Sequence, residues 1–388
     1  MIERDLAARL RRAARSFPAV TVTGPRQSGK STLCQAVFPK HAYANMEAPD
    51  VRRFAQEDPR GFLGQFARGA VIDEVQRCPD LPSYLQVLID QDPAPGKWIL
   101  TGSQNLTLLE SVSQSLAGRT VLLHLLPLAR TEVCRFEKYP TTLDEALFAG
   151  GYPRIYDRQL DPSDWLGAYV ATYLERDVRT VLNVGDLITF QRFVELCAGR
   201  TGQLLNLSAL AGDSGISQPT AKAWLSVLET TFIVFRLPSY SRNLRKRVVK
   251  MPKLHFYDTG LVCWLLGIRH AGQLRAHPLR GAIFESWVAS EILKQRVHRG
   301  ESAGLFYYRD LHGAEADLVV AAGETLVIVE AKSGATVSSD MLDAMRKIRP
   351  ALTSHIPPEA VLIYGGETPQ KRSDLKVLPW TAIHDHRW

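Results

Sequence analysis

The chain has 388 residues, 45% of them hydrophobic and 22% charged, with a net charge of +7. That length predicts two or three domains, and the balance predicts a soluble globular protein rather than a fibrous or disordered one. No apolar run reaches the length of a membrane span, "MIERDLAARLRRAARSF" has no signal-peptide core, and the five scattered cysteines form no C-x-x-C pair. A membrane protein, a disulfide framework and a zinc site are therefore not expected, and the expected location is cytoplasmic.

The first informative stretch is "AVTVTGPRQSGKSTLCQAVF", residues 19–38. Its β-branched start predicts a strand, and "STLCQAVF" predicts a helix. Between them Gly24-Pro25-Arg26-Gln27-Ser28-Gly29-Lys30-Ser31-Thr32 fits the P-loop at every fixed position. Glycines let the backbone turn its N–H groups toward phosphate oxygens, and the helix N-terminus adds a favourable dipole. Lys30 is expected to reach the β- and γ-phosphates of ATP, and Ser31 to offer its hydroxyl to Mg²⁺.

"GAVIDEVQ", residues 69–76, reads as a second strand ending in Asp73 and Glu74. Placed beside the P-loop strand, Asp73 would hold the Mg²⁺ shell and Glu74 would polarise the attacking water. The alternative is an acidic pair that caps the next helix. A third strand, "KWILTGSQN", ends in polar residues, of which Ser103 is the choice to orient the water or sense the γ-phosphate; a turn role is the alternative. Arg119 precedes a fourth strand. It either reaches a nucleotide in a neighbouring subunit or is a surface arginine in a turn.

Residues 141–186 read as a helical lid or linker from the apolar spacing of "TTLDEALFAGG" and "DWLGAYVATYLERDVRTVL". Residues 187–265 read as three helices and a two-stranded hairpin, which is the winged-helix plan. The second helix is expected to start at Ser208. The third takes Ser217 as its N-cap, with Pro219 in its first turn. It would present Ser217, Gln218, Thr220 and Lys222 to DNA. "SRNLRKRVVKMPK", residues 241–253, would be the wing, with Arg242, Arg245, Lys246, Arg247, Lys250 and Lys253 and no acid among them. That stretch is either an anion-binding surface or a solvated hairpin, and the domain either binds DNA or makes protein contacts.

Residues 266–388 read as a helix, three strands, a helix and a last strand, the order of a restriction-endonuclease-like α/β core. Asp317 ends one hairpin strand. Glu330 and Lys332 end the next and share a face, because side chains two apart on a strand point the same way. Glu285 joins from the helix. These carboxylates with a lysine predict a second Mg²⁺ site. The alternative is a structural ion pair in a domain that binds DNA without cutting it.

The order "GPRQSGKST", "VIDEVQ", "LTGSQN", "LAGR", "LPL" resembles an AAA+ ATPase. With "FAGGYPRIY", "YLERDV", "KMPKLHFYDTGL", "GAIFESWVASEIL" and "EADLVV" to "VEAKSG", most of the chain resembles the prokaryotic AAA+ ATPases that carry a conserved C-terminal region of unknown function. The resemblance implies an AAA+ domain over residues 1–140. It also implies ATP hydrolysis by Lys30, Asp73 and Glu74, and a Gly-Arg pair at Arg119. Asp317 and Glu330-x-Lys332 resemble the PD-(D/E)xK nuclease signature. The sequence departs from the family after Thr-Gly-Ser, at Gln104-Asn105. The expectation is an α/β protein that uses ATP and Mg²⁺ to act on DNA as a homo-oligomeric ring, with no membrane partner. The rivals are a branch-migrating or unwinding motor whose nuclease-like domain only grips DNA, and a nucleotide switch that acts on protein partners.

Overall fold

A computed structural model describes residues 2–103, 114–174, 187–241, 251–310, 313–353 and 356–388. The chain divides into two compact units. The first takes residues 1–128 with 230–232 and 297–301; the second takes 129–229, 233–296 and 302–388.

The first unit is built on five parallel strands: β1 (Ala19–Gly24), β2 (Ala42–Asn45), β3 (Ala70–Asp73), β4 (Trp98–Ser103) and β5 (Thr120–His124). Their order across the sheet is β2-β3-β4-β1-β5. Every residue of β1 is buried. A parallel sheet is covered on both faces, so its central strands read as unbroken apolar runs. Successive side chains then go to opposite cores. Ala19, Ile72, Trp98 and Leu100 pack with the helix Leu81–Gln91 and its neighbours on one face. Val20, Val22, Val71 and Ile99 pack with Leu6, Leu10 and Leu33 on the other.

Two expectations change here. The strand carrying Asp73 does not lie beside the P-loop strand, because β4 pairs with both and separates them. A strand also precedes it that the sequence did not announce. β2 is a four-residue edge strand whose first two residues are exposed, so it carries no apolar run.

The second unit begins with short helices at Arg130–Val133, Leu143–Ala149, Pro153–Asp157 and Pro162–Tyr169. Three more follow, Leu187–Ala198, Leu207–Ser214 and Gln218–Thr230. The second of these is capped by Asn206, which accepts from the Ala209 N–H, so it starts one residue earlier than expected. Ser217 accepts from the Thr220 N–H in the expected N-cap role. An antiparallel sheet comes next, in the order β6 (Gln203–Leu204), β8 (Lys253–Phe256), β7 (Val234–Leu237).

The second unit also holds the helix Thr259–Leu265, the helix Arg280–Arg299 up to residue 296, and a mixed six-stranded sheet. Its strands are β9 (Leu305–Arg309), β10 (Glu315–Ala322), β11 (Thr325–Lys332), β12 (Glu359–Tyr364), β13 (Gln370–Lys371) and β14 (Lys376–Pro379). β9, β10 and β11 form an antiparallel meander. β12 joins β11 in parallel after the crossover helix Ser339–Leu352, whose Leu342, Met345 and Ile348 pack on Ile328 and Leu362. The last expected strand was β12. β13 and β14 extend the sheet beyond it, and both are too short to show an alternating pattern. Among the described residues no helix is long and apolar enough to cross a membrane.

Candidate functional site

The loop after β1 is shaped by close approach and by left-handed backbone. A Cβ on Gly24 would lie 2.1 Å from the Leu125 carbonyl oxygen, so no larger residue fits there. Gly29 has φ +90°, which glycine adopts without strain. Gln27 also has positive φ, +62°. The loop thus enters the helix Lys30–Val37 with its N–H groups unused by the helix. The Ser28 hydroxyl is buried there with no hydrogen-bond partner among the described residues. Lys30 is buried and donates to the carbonyls of Gly24 (3.2 Å) and Pro25 (2.9 Å). Burial pulls its pKa below the ordinary lysine value, against the opposing pull of Glu74 and Asp73.

Asp73 ends β3. The hydroxyl of Thr101, from β4, donates to its Oδ1, and the phenol of Tyr43, from β2, donates to its Oδ2 at 2.6 Å. The intervening strand β4 therefore contributes directly to the acid's position. Glu74, the next residue, has left-handed backbone (φ +55°) and accepts from the Gln76 side chain. Ser103, the last residue of β4, stands in register with Gly24; Gln104 and Asn105 lie outside the described residues. Arg26 and Gln27 are half-buried and Thr32 is exposed. Arg119 makes a two-pronged ion pair with Asp90, at 2.6 and 2.9 Å.

Sequence reasoning missed two residues of this site. Arg4 donates to the carbonyls of Ser28 (2.6 Å) and Leu126 (2.8 Å), tying the loop to the chain after β5. Tyr43 belongs to the strand that was not foreseen. An unpartnered buried hydroxyl and glycine-turned backbone suit a phosphate group. The Ser31 hydroxyl at the start of the helix and the Asp73 carboxylate at the end of β3 offer oxygens of the kind that suits a hard divalent cation.

A second cluster lies in the second unit. Asp317 sits near the start of β10 rather than at its end, and accepts from the Ala331 N–H at 2.9 Å. Glu330 and Lys332, on one face of β11, pair at 2.6 Å, and Glu330 Oε2 is buried without a partner among the described residues. Glu285 reaches the cluster from the helix Arg280–Arg299. Its partner corrects the sequence reading. Lys253, counted above with the basic wing, is only 4% exposed, and its ammonium meets Glu285 (2.9 Å), Glu315 (2.7 Å) and Asp317 (3.9 Å). Burial acts to lower the Lys253 pKa, but Glu285 and Asp317 outweigh it and hold the group charged. Burial raises the pKa of both Glu285 and Glu330, and the Asp317 charge raises each further. Neighbouring His255 donates or accepts through Nδ1 with Ser286 at 2.9 Å, and burial with the Lys253 charge keeps its ring neutral.

Of the expected DNA contacts, Ser217, Gln218 and Lys222 are exposed at the start of the helix Gln218–Thr230. The Ser217 and Thr220 hydroxyls bond to each other at 2.7 Å. Arg242, Arg245, Lys246, Arg247 and Lys250 lie outside the described residues.

A five-stranded parallel sheet, a glycine-shaped loop with a buried lysine and an acid on a nearby strand define a P-loop nucleotide-binding protein. Residues 16–134 match the family described as an AAA domain; residues 140–271 and 280–383 match two domains of unknown function, DUF8612 and DUF4143. Uncharacterised proteins of Mycobacterium tuberculosis and Mycobacterium bovis are each 33% identical over 369 residues, covering 94% of this chain and 80% of the relative. The chain belongs to their family, an AAA domain followed by a C-terminal region of unknown function. A Walker-type ATPase of Pyrococcus abyssi is 15% identical, covers 68% of this chain and 96% of its own, and superposes with a TM-score of 0.44.

Proposed function

We propose that this protein hydrolyses ATP with Mg²⁺ and uses the turnover to act on DNA. The observation that carries the ATPase reading is the meeting of Lys30, Ser31 and Asp73 at the ends of β1 and β3. Lys30 would leave the loop carbonyls for the β- and γ-phosphates, and the loop N–H groups and Ser28 would receive the remaining phosphate oxygens. Ser31 and Asp73 would hold Mg²⁺, which supplies charge stabilisation to the transferring phosphoryl group. Glu74, one residue beyond Asp73, would take a proton from the attacking water.

DNA is the proposed substrate of the second unit. Three helices and an antiparallel sheet support a winged helix over residues 187–265, with the basic stretch 242–250 between β7 and β8. The meander, crossover helix and parallel strand support a restriction-endonuclease-like core over residues 266–388. Lys253 favours one reading of that core. An ammonium among Glu285, Glu315 and Asp317 already neutralises part of the charge that a metal would. The core is therefore proposed to hold DNA without cutting it.

The test is ATPase rate on single-stranded, duplex, forked and four-way-junction DNA, with cleavage followed in Mg²⁺ and Mn²⁺. Stimulation without cleavage is expected. An ATPase indifferent to every DNA would favour the protein-directed switch, and metal-dependent cutting lost in Asp317→Ala would reinstate the nuclease. Binding should weaken with salt at a slope near −0.9 per phosphate neutralised. Neutralising Arg245, Lys246 and Arg247 together should flatten that slope by about two to three.

A further inference from the structure

We infer that Tyr43 is a gate on the metal half of the nucleotide site: its hydroxyl occupies Asp73 and must be displaced before a divalent cation can take that carboxylate oxygen. The inference rests on reading the P-loop as a Mg²⁺-nucleotide site.

The geometry is specific. Tyr43 Oη donates to Asp73 Oδ2 at 2.6 Å. A carboxylate oxygen is a ligand suited to a hard cation. The phenol satisfies that oxygen, so it is hydrogen-bonded rather than left as a bare ligand. The other Asp73 oxygen is held by Thr101, which fixes the carboxylate and leaves the Tyr43 side as the one that has to open. Tyr43 is placed to move. It lies on the edge strand β2, which pairs on one side only, with β3, and its side chain is 42% exposed. Nothing of the fold's core depends on the phenol. Hydrogen bonds to a carboxylate are stronger than neutral ones, so breaking this one raises the metal concentration needed.

The test is a Mg²⁺ titration of a fluorescent ADP analogue bound to the full chain, comparing the parent with Tyr43→Phe, which keeps the ring and loses the hydroxyl. The half-saturating Mg²⁺ concentration should fall by about tenfold, the factor that one charge-assisted hydrogen bond accounts for. Analogue affinity in the presence of a chelator should stay the same, because the phosphate cradle is untouched. An unchanged or higher Mg²⁺ midpoint in Tyr43→Phe, with parental binding clearly Mg²⁺-dependent, overturns the gate alone. Parental binding that ignores Mg²⁺ overturns the metal-nucleotide reading beneath it.

Discussion

Lys30 holds its ammonium against two carbonyls of its own loop, in a place that burial makes costly for a charge. A phosphate is a better partner than a carbonyl, since both members of the bond are then ionised. Lys30→Ala is therefore expected to abolish turnover and weaken nucleotide binding together. Glu74→Gln should separate the two. It keeps the shape beside Gln76 but cannot take a proton, so nucleotide binding should persist while turnover falls by about a hundredfold or more. Direct binding and phosphate release, measured on the same preparations, check this; turnover at the parental rate in Glu74→Gln would reject the assignment of the base. At this scale the sequence is informative where candidate residues fall in a short run. Gly24 to Thr32 and Asp73-Glu74 could be singled out as candidates because they are neighbours in sequence. Tyr43, Arg4 and Lys253 could not. Their partners lie 30, 24 and 32 residues away, and only the fold brings them together.

The elements that were legible are those whose periodicity is long enough to show. β1 is a fully buried β-branched run, β11 carries the apolar run 326–329, and the helix Ser339–Leu352 buries one stripe. β2 is exposed at its first two positions and β13 has only two residues, so neither carries a buried run. Strand order was not legible at all, since the motif fixes which residues meet a phosphate and not which strand sits between them. The cluster joining β8, β10, β11 and the helix Arg280–Arg299 makes a prediction at this scale. Glu285 has a folded pKa raised above its ordinary 4.5, to about 8. A raised carboxyl binds its proton more tightly when folded. It therefore adds no penalty below 4.5, where both states are protonated, and costs stability increasingly as pH rises toward the folded value. Glu285→Gln cannot ionise, and its amide oxygen can still accept from Lys253, which keeps Glu315 and Asp317 nearby. The loss of thermal stability between pH 5 and pH 8 should be smaller in Glu285→Gln than in the parent, within about that window. Melting curves across pH decide it; an equal or steeper loss would mean that Lys253 needs the Glu285 charge more than the fold is relieved by its removal.

At the scale of the whole molecule the residue to test is Arg119, just before β5. It is partly exposed and held by Asp90 of the same chain. An ion pair at a surface contributes little, because water screens both charges and the long side chain loses freedom in forming it. Arg119 can therefore exchange Asp90 for a stronger anion at small cost, and the γ-phosphate on a neighbouring subunit is such an anion. In a homo-oligomeric ring that exchange would make each site from two chains, one giving Lys30 and the other Arg119. Arg119→Ala and Lys30→Ala would then each be inactive alone. A mixture would form some interfaces with both residues intact, and part of the ATPase activity should return. Asp90→Asn should not mimic either loss, since it releases the arginine rather than removing it. Equimolar mixing, with subunit exchange followed by a fluorescent label, tests the shared site. If exchange occurs and the mixture stays as inactive as its parents, Arg119 acts within its own chain or serves only to hold Asp90.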